Sequence, residues 1–445
     1  MMKRPSQAGL LRSRGNSDSG KVSFIELFFD LIFVFAVTQL SHSFLEEMSM
    51  HGAVQLVLLT MAVWWVWIFT AWVINWLNPE TLPVRLMLIG LMLLGLILSA
   101  SIPEAFESRG LYFAAAYVLF QVGRTAFAIG MIHKGLQELR VNFVRILLWM
   151  CVSGIFWITG AFAEDSYRLA LWAVALLVEY AAPSLGFWVP LLGRTPTSVW
   201  DVEGSHMAER CGLFIIIALG ESILLMGVTF AESAWTLPTA AAFAAAFIVT
   251  VALWWIYFDA TSKTGHHLIA HSADPGRLAR SAYTYTHLLL VAGIILTAVA
   301  GELLLAHPLE HPGPIAAAMM LGGPALFLLG NALFMKVAAG VAPSPYITGA
   351  AALLLLFIFA GYVSALLLAA LAAGVVPPPY IPGAAALLLL FIFAGYVSAL
   401  LLAALAAAVL ILVSVWGHVF SERLCRMPSS ASVKPREASA FKGEL

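Results

Sequence analysis

Long apolar runs separated by short polar gaps dominate the chain. Twelve runs fall at 24–44, 54–76, 83–101, 111–132, 143–163, 168–189, 209–231, 237–258, 283–305, 315–338, 347–373 and 381–413. Each is near the roughly 20 residues that a helix needs to cross about 30 Å of hydrocarbon. A membrane barrel would instead show strands of about ten residues with alternating polarity, and none occur. The pattern predicts an all-α, polytopic transmembrane helical bundle of about twelve spans. The first 21 residues are polar and basic, with only Leu10-Leu11 as an apolar pair, so no signal peptide is expected.

Composition narrows the class. The 445 residues are 62% hydrophobic and 11% charged, with mean hydropathy +0.94. Soluble domains run near 45–50% apolar and about 25% charged. Soluble enzymes, secreted disulfide scaffolds and nucleic-acid-binding domains are thereby excluded, and the expected partners are the lipid bilayer and an ion or small-molecule substrate. The net charge of −1 adds nothing about partners. Cys151, Cys211 and Cys425 are scattered and form neither a disulfide framework nor a zinc pattern.

Charge placement is more informative than charge content. All but three of the 23 lysines and arginines fall in the two tails or in the even-numbered gaps. Arg109 and Arg168 lie on the other side, and Arg124 lies inside a span. By the positive-inside rule, both termini are cytoplasmic and the number of spans is even.

Two repeats are visible. Residues 340–373 recur at 374–407 with three changes, Ala342/Val376, Ser344/Pro378 and Thr348/Pro382. An older repeat pairs Trp64-Trp65-Val66-Trp67 with Trp254-Trp255-Ile256-Tyr257, and Gly95-Leu-Ile-Leu-Ser-Ala with Gly293-Ile-Ile-Leu-Thr-Ala. It also pairs Leu119-Phe120 and Gly123 with Leu326-Phe327 and Gly330, and Glu26 with Glu209. The matches keep their order, which predicts two parallel six-helix repeats at 23–190 and 209–420. A cytoplasmic linker at 191–208 joins them, and cytoplasmic basic tails lie at 1–22 and 421–445. Transporters commonly carry such repeats, with sites between the halves.

Ionisable groups within spans are costly and are functional candidates by default. The first span carries Glu26 and Asp30 one turn apart on one face, with Thr38, Ser41 and His42 further along. Glu26 also suits a helix N-terminus, where the macrodipole favours a carboxylate. The seventh span opens on Glu209 and Arg210, just after His206, and holds Glu221 deeper. Arg124 is the one deep cation, so Asp30 or Glu221 is its expected partner. Weaker candidates are Asn75, Glu179, Tyr180, His287 and Glu302. The tryptophans of the second span read as lipid-interface and packing residues. Asp259 stands at a helix end, followed by His266, His267 and His271, which read as a solvated loop and not as a metal site. No His-Glu-x-x-His motif, phosphate-binding loop or nucleophile elbow is present. Neither a cofactor nor a metal is indicated.

Three segments resemble the bacterial low temperature requirement protein A family. Glu26-Leu-Phe-Phe-Asp-Leu-Ile-Phe-Val-Phe-Ala-Val-Thr-Gln-Leu-Ser-His42 is similar to its opening signature. Glu209-Arg-Cys-Gly-Leu-Phe-Ile-Ile-Ile-Ala-Leu-Gly-Glu-Ser222 and Trp254-Trp-Ile-Tyr-Phe-Asp259 are similar to two further signatures. Cys211 and the tandem duplication depart from the pattern. The resemblance spans roughly residues 20–420. It implies a multi-pass inner-membrane protein linked to growth in the cold, and carries over Glu26, Asp30, His42, Glu209, Arg210, Glu221 and Asp259. It supplies no reaction. The leading expectation is a transporter- or channel-like protein for an ion, proton or small solute, with Glu26, Asp30, Thr38, Arg124 and Glu221 along its path. The alternatives are a lipid-handling membrane enzyme near His206, Glu209 and Asp259, and a sensor or scaffold without turnover.

Overall fold

The computed structural model describes residues 10–12, 20–132, 136–197, 200, 202–372 and 398–426. The first set of helices is α1 (Phe24–Glu46), α2 (Met50–Trp76), α3 (Leu82–Ala100), α4 (Gly110–Met131), α5 (Gln137–Ala161) and α6 (Asp165–Ser184). The second set opens with α7 (Gly204–Glu232) and α8 (Leu237–Ile256). α8 runs on through a π-helical turn (Tyr257–Thr261) into α9 (Ser262–Ala270). A short α10 (Pro275–Leu278) and a second π-helical stretch (Ala279–Thr286) lead into α11 (His287–Ala306). α12 (Pro314–Ala339), α13 (Ser344–Ala372) and α14 (Ala399–Arg426) complete the bundle. Among the described residues, ten helical segments are long and apolar enough to cross a membrane.

Local sequence explains where the helices begin and stop. Proline occupies the first turn of α3, α8 and α12, where its missing N–H has no helical partner to lose. The Ser49 hydroxyl accepts the Gly52 N–H to cap α2. Gly340, at φ +75°, ends α12 in the left-handed conformation that suits glycine.

Helix neighbours follow the same order in the two sets. α1 packs on α2 and α3, α3 on α4, α4 on α5, α5 on α6, and α6 returns to α2. Likewise α7 packs on α8 and α11, α11 on α12, α12 on α13, α13 on α14, and α14 returns to α8. The sets meet where α1 and α2 contact α7 and α11.

Three expectations change. Trp64, Trp65 and Trp67 are 0–1% exposed, so they are core residues and not a lipid interface. Buried indole N–H groups usually find partners, although Trp65 Nε1 has none among the described residues. Trp64 donates to the Thr284 carbonyl (2.8 Å) and Trp72 to the Thr284 hydroxyl (2.9 Å), tying α2 to the second set. The expected loop at His266 and His267 is instead helix α9. No proline interrupts the segment before Pro275, and Gly265 lets α9 approach Phe334 and Tyr283 closely. Finally, the span expected at 381–413 has its start outside the described residues, and the helix there runs from Ala399 to Arg426.

Candidate functional site

α1 and α7 face each other with two matched pairs of side chains. Spacing of i, i+4 puts Glu26 and Asp30 on one face of α1, and His206 and Arg210 on one face of α7. All four are fully buried. Arg210 Nη2 donates to Asp30 Oδ1 at 2.8 Å, and its Nη1 lies 3.5 Å from Glu26 Oε1. Trp67 Nε1 also donates to Asp30 Oδ1 (2.8 Å), and its ring stacks under the Arg210 guanidinium at 5.6 Å.

Glu26 stands at the N-terminus of α1 and also reaches across to α7. Its Oε2 accepts from the Ser23 N–H and hydroxyl, both at 2.8 Å, which caps α1. Its Oε1 lies 2.7 Å from His206 Nε2. Arg12 reaches Oε2 from the N-terminal segment at 3.1 Å. A short backbone pairing holds that segment: Arg12 N–H donates to the Trp76 carbonyl and Asn78 N–H to the Leu10 carbonyl.

Asn75 decides which nitrogen of His206 carries hydrogen. The Asn75 Oδ1 accepts the Glu203 N–H (2.8 Å) and its Nδ2 donates to the Glu203 carbonyl (2.9 Å), so the amide has one orientation. Its second N–H then meets His206 Nδ1 at 3.2 Å. Nδ1 is therefore the acceptor, and the ring hydrogen on Nε2 is donated to Glu26. Two carboxylates and two guanidiniums balance in formal charge. Yet Asp30 Oδ2 and Arg210 Nε have no hydrogen-bond partner among the described residues. Buried orphans of this kind call for an explanation beyond packing.

Further along the same seam, an aromatic layer replaces the charges. Phe214 of α7 packs on Trp67 (4.3 Å), Trp64 (5.5 Å) and Phe33 (6.3 Å). Beyond it Thr38 Oγ1 meets Glu221 Oε1 at 2.5 Å. Thr38 follows Asp30 by eight residues, about 12 Å along a helix. His42 is exposed but within electrostatic reach of Glu221 and of Glu302 on α11.

Arg124 does not join this seam. It donates to the Val66 carbonyl and Thr70 hydroxyl (3.1 Å each) and to Gln121 Oε1 (2.5 Å), between the rings of Phe69 and Phe120. The expected pairing with Asp30 or Glu221 fails because α4 packs on α2, α3 and α5, away from α7. Arg210 and Thr38 take those carboxylates instead. Gln121 links Arg124 to a buried knot around Glu179, its Nε2 donating to Glu179 Oε2 at 3.4 Å. Glu179 also accepts from Tyr117 (2.5 Å), Ser153 (2.7 Å) and Trp157 (3.0 Å). Glu209 is exposed. Asp259 bonds Lys263 and His418, so His206, Glu209 and Asp259 belong to different networks. Sequence reasoning missed Arg12 and Trp67 as members of the site. It also left His206 and Asn75 at its margin, although the matched i, i+4 spacing of His206 and Arg210 was available as a signal.

The chain matches, over residues 21–416, the family described as bacterial low temperature requirement A protein. It belongs to that family. A low temperature requirement A protein of this kind is a multi-pass membrane protein, consistent with the helical bundle. An uncharacterized protein of Rhizobium meliloti (strain 1021) is 41% identical over 356 residues, which cover 80% of this chain and 87% of that relative. No solved structure matches the chain. All three signature segments lie within the matched range. The first two supply the facing sides of the α1–α7 seam, whereas the third carries Asp259 elsewhere.

Proposed function

We propose that this low temperature requirement A protein moves a proton or small cation across a bacterial inner membrane, along the seam between α1 and α7. The observation that carries the reading is the layering of that seam. A buried charge cluster (Glu26, Asp30, His206, Arg210) occupies one end, Thr38 and Glu221 the other, and Phe33, Phe214 and Trp64 separate them. Charges are kept in a membrane interior at substantial cost, and their common uses there are ion and proton pathways. The orphaned Asp30 oxygen supplies a coordination position that no side chain among the described residues fills.

The repeated helix-neighbour order supports reading the two sets as parallel six-helix repeats with the path between them. The cation distribution supports reading the Arg12 end, and both termini, as cytoplasmic. In this arrangement Asp30 and Glu221 are the two stations of the cargo, Arg210 holds Asp30 in place, and the aromatic layer is the barrier between them.

Reconstitution of the full chain in liposomes with pH- and ion-sensitive dyes tests the reading. The wild type conducts, and Asp30→Asn and Glu221→Gln each abolish flux while the protein remains folded by size-exclusion chromatography. Absence of any flux, or variants that match the wild type, overturns it.

A further inference from the structure

Asp259 lies outside the α1–α7 seam, yet the chain gives it an unusual setting. It sits on the π-helical turn Tyr257–Thr261, which inserts a residue relative to α-helical phase. Such insertions are frequent at functional sites. The turn carries Asp259 to His418 of α14, whose Nδ1 lies 2.5 Å from Oδ2, while Lys263 binds Oδ1 at 2.9 Å. Lys263 is 71% exposed and His418 50%, so this trio opens to the outside of the bundle.

A groove of about 370 Å³ begins at His418 and runs between α8 and α14. Phe247, Val251 and Trp255 line one side, Ile411 and Val415 the other, and His418 closes its polar end. Phe247 to Trp255 covers about 12 Å of helix rise. Trp254 and Trp255 are half-exposed about one turn before Asp259, and exposed tryptophans at helix ends are typical of a membrane–water boundary. The groove is therefore apolar over its length, and His418 at its mouth joins it to the Asp259–Lys263 pair just beyond the lining.

We infer that this groove binds one phospholipid with a primary-ammonium, zwitterionic headgroup. One acyl chain lies between α8 and α14, the lipid phosphate meets Lys263, and the lipid ammonium meets Asp259. Charge complementarity selects the headgroup. Lys263 and His418 bond the two Asp259 oxygens, so a lipid phosphate that draws Lys263 away must bring a replacement cation, which an anionic glycerol headgroup lacks. A quaternary ammonium brings a cation without N–H donors, and so forfeits the charge-assisted hydrogen bonds that a carboxylate accepts. The site stands independently of the transport reading.

Titration of the purified full chain with phospholipids brominated on the acyl chain tests this, because bromine quenches nearby tryptophan. Subtracting the signal of Trp255→Phe isolates quenching at the groove. Brominated phosphatidylethanolamine should reach half-quenching at about a fivefold lower mole fraction than brominated phosphatidylcholine or phosphatidylglycerol, the worth of one part-exposed charge contact. Asp259→Asn should bring the ethanolamine lipid to the level of the choline lipid. Lys263→Gln, at an exposed position, should weaken all three alike. Equal titrations for the three lipids would mean annular lipid only and overturn the site. So would tightest quenching by the glycerol lipid, a preference unchanged in Asp259→Asn, or unaltered titrations in Lys263→Gln.

Discussion

Replacing Arg210 with methionine tests whether the α1–α7 charge cluster is a coupled unit. Methionine keeps an unbranched apolar stem but is shorter, and it removes the guanidinium together with its contact on Trp67. Among the described residues, Asp30 then keeps only the Trp67 N–H at 2.8 Å, and Glu26 loses the guanidinium 3.5 Å away. Removing one partner of a buried pair costs about 3–5 kcal/mol, chiefly because the remaining charge stays buried and unpaired. Hydrogen bonds between membrane helices give much smaller couplings, averaging about 0.6 kcal/mol, since helices separated in the bilayer find other partners. Here the larger figure governs, because a lone carboxylate in lipid has no comparable alternative partner. Arg210→Met should therefore destabilise the protein by about 3 kcal/mol or more. Adding Asp30→Asn, which removes the stranded charge, should recover at least about 1 kcal/mol. Equilibrium unfolding in mixed micelles, with both single variants and the double variant, closes the cycle. A coupling within about 0.5 kcal/mol of zero, the additivity expected of independent sites, would refute the reasoning.

Glu179→Gln should destabilise by about 2 kcal/mol in the same unfolding assay, because the new amide presents N–H groups to the donors of Tyr117, Ser153 or Trp157. Gly293→Ala should cost about 1–3 kcal/mol, since the added methyl would lie 2.8 Å from the Gly323 carbonyl and the Phe327 nitrogen of α12. Gly123→Ala, where nothing lies within 4 Å, should be near neutral and serves as the control. Deleting residues 364–397 joins Val363 to Ser398 and restores a single copy of the duplicated segment. Tyr346 and Leu353 of α13 and Leu402 and Leu410 of α14, all buried, are retained, so expression and micelle stability should match those of the full chain.

Much of the fold follows from the sequence because a bilayer permits few solutions. A lipid-exposed backbone must satisfy its own hydrogen bonds, so each apolar run of about 20 residues becomes a helix. Prolines in the first turns and Gly340 then place several helix ends. The polar stripe from Glu26 to His42, and Glu221 in the seventh span, were legible for the same reason, as polar groups stand out on an apolar helix. Membership of the low temperature requirement A family was also legible, because its signatures are unbroken stretches of sequence.

Which charge meets which was left to the tertiary structure. Arg124 has the right charge and depth to pair with Asp30, but α4 faces α2, α3 and α5, and its guanidinium ends among Val66, Thr70 and Gln121. Arg210 looked like a residue of the helix start and instead turned inward to Asp30. Asn75 set the hydrogen position of His206 through a backbone more than a hundred residues away. Helix formation is a local matter settled within each run of sequence. Pairing depends on which helix faces turn toward each other, and that is decided only when the faces pack.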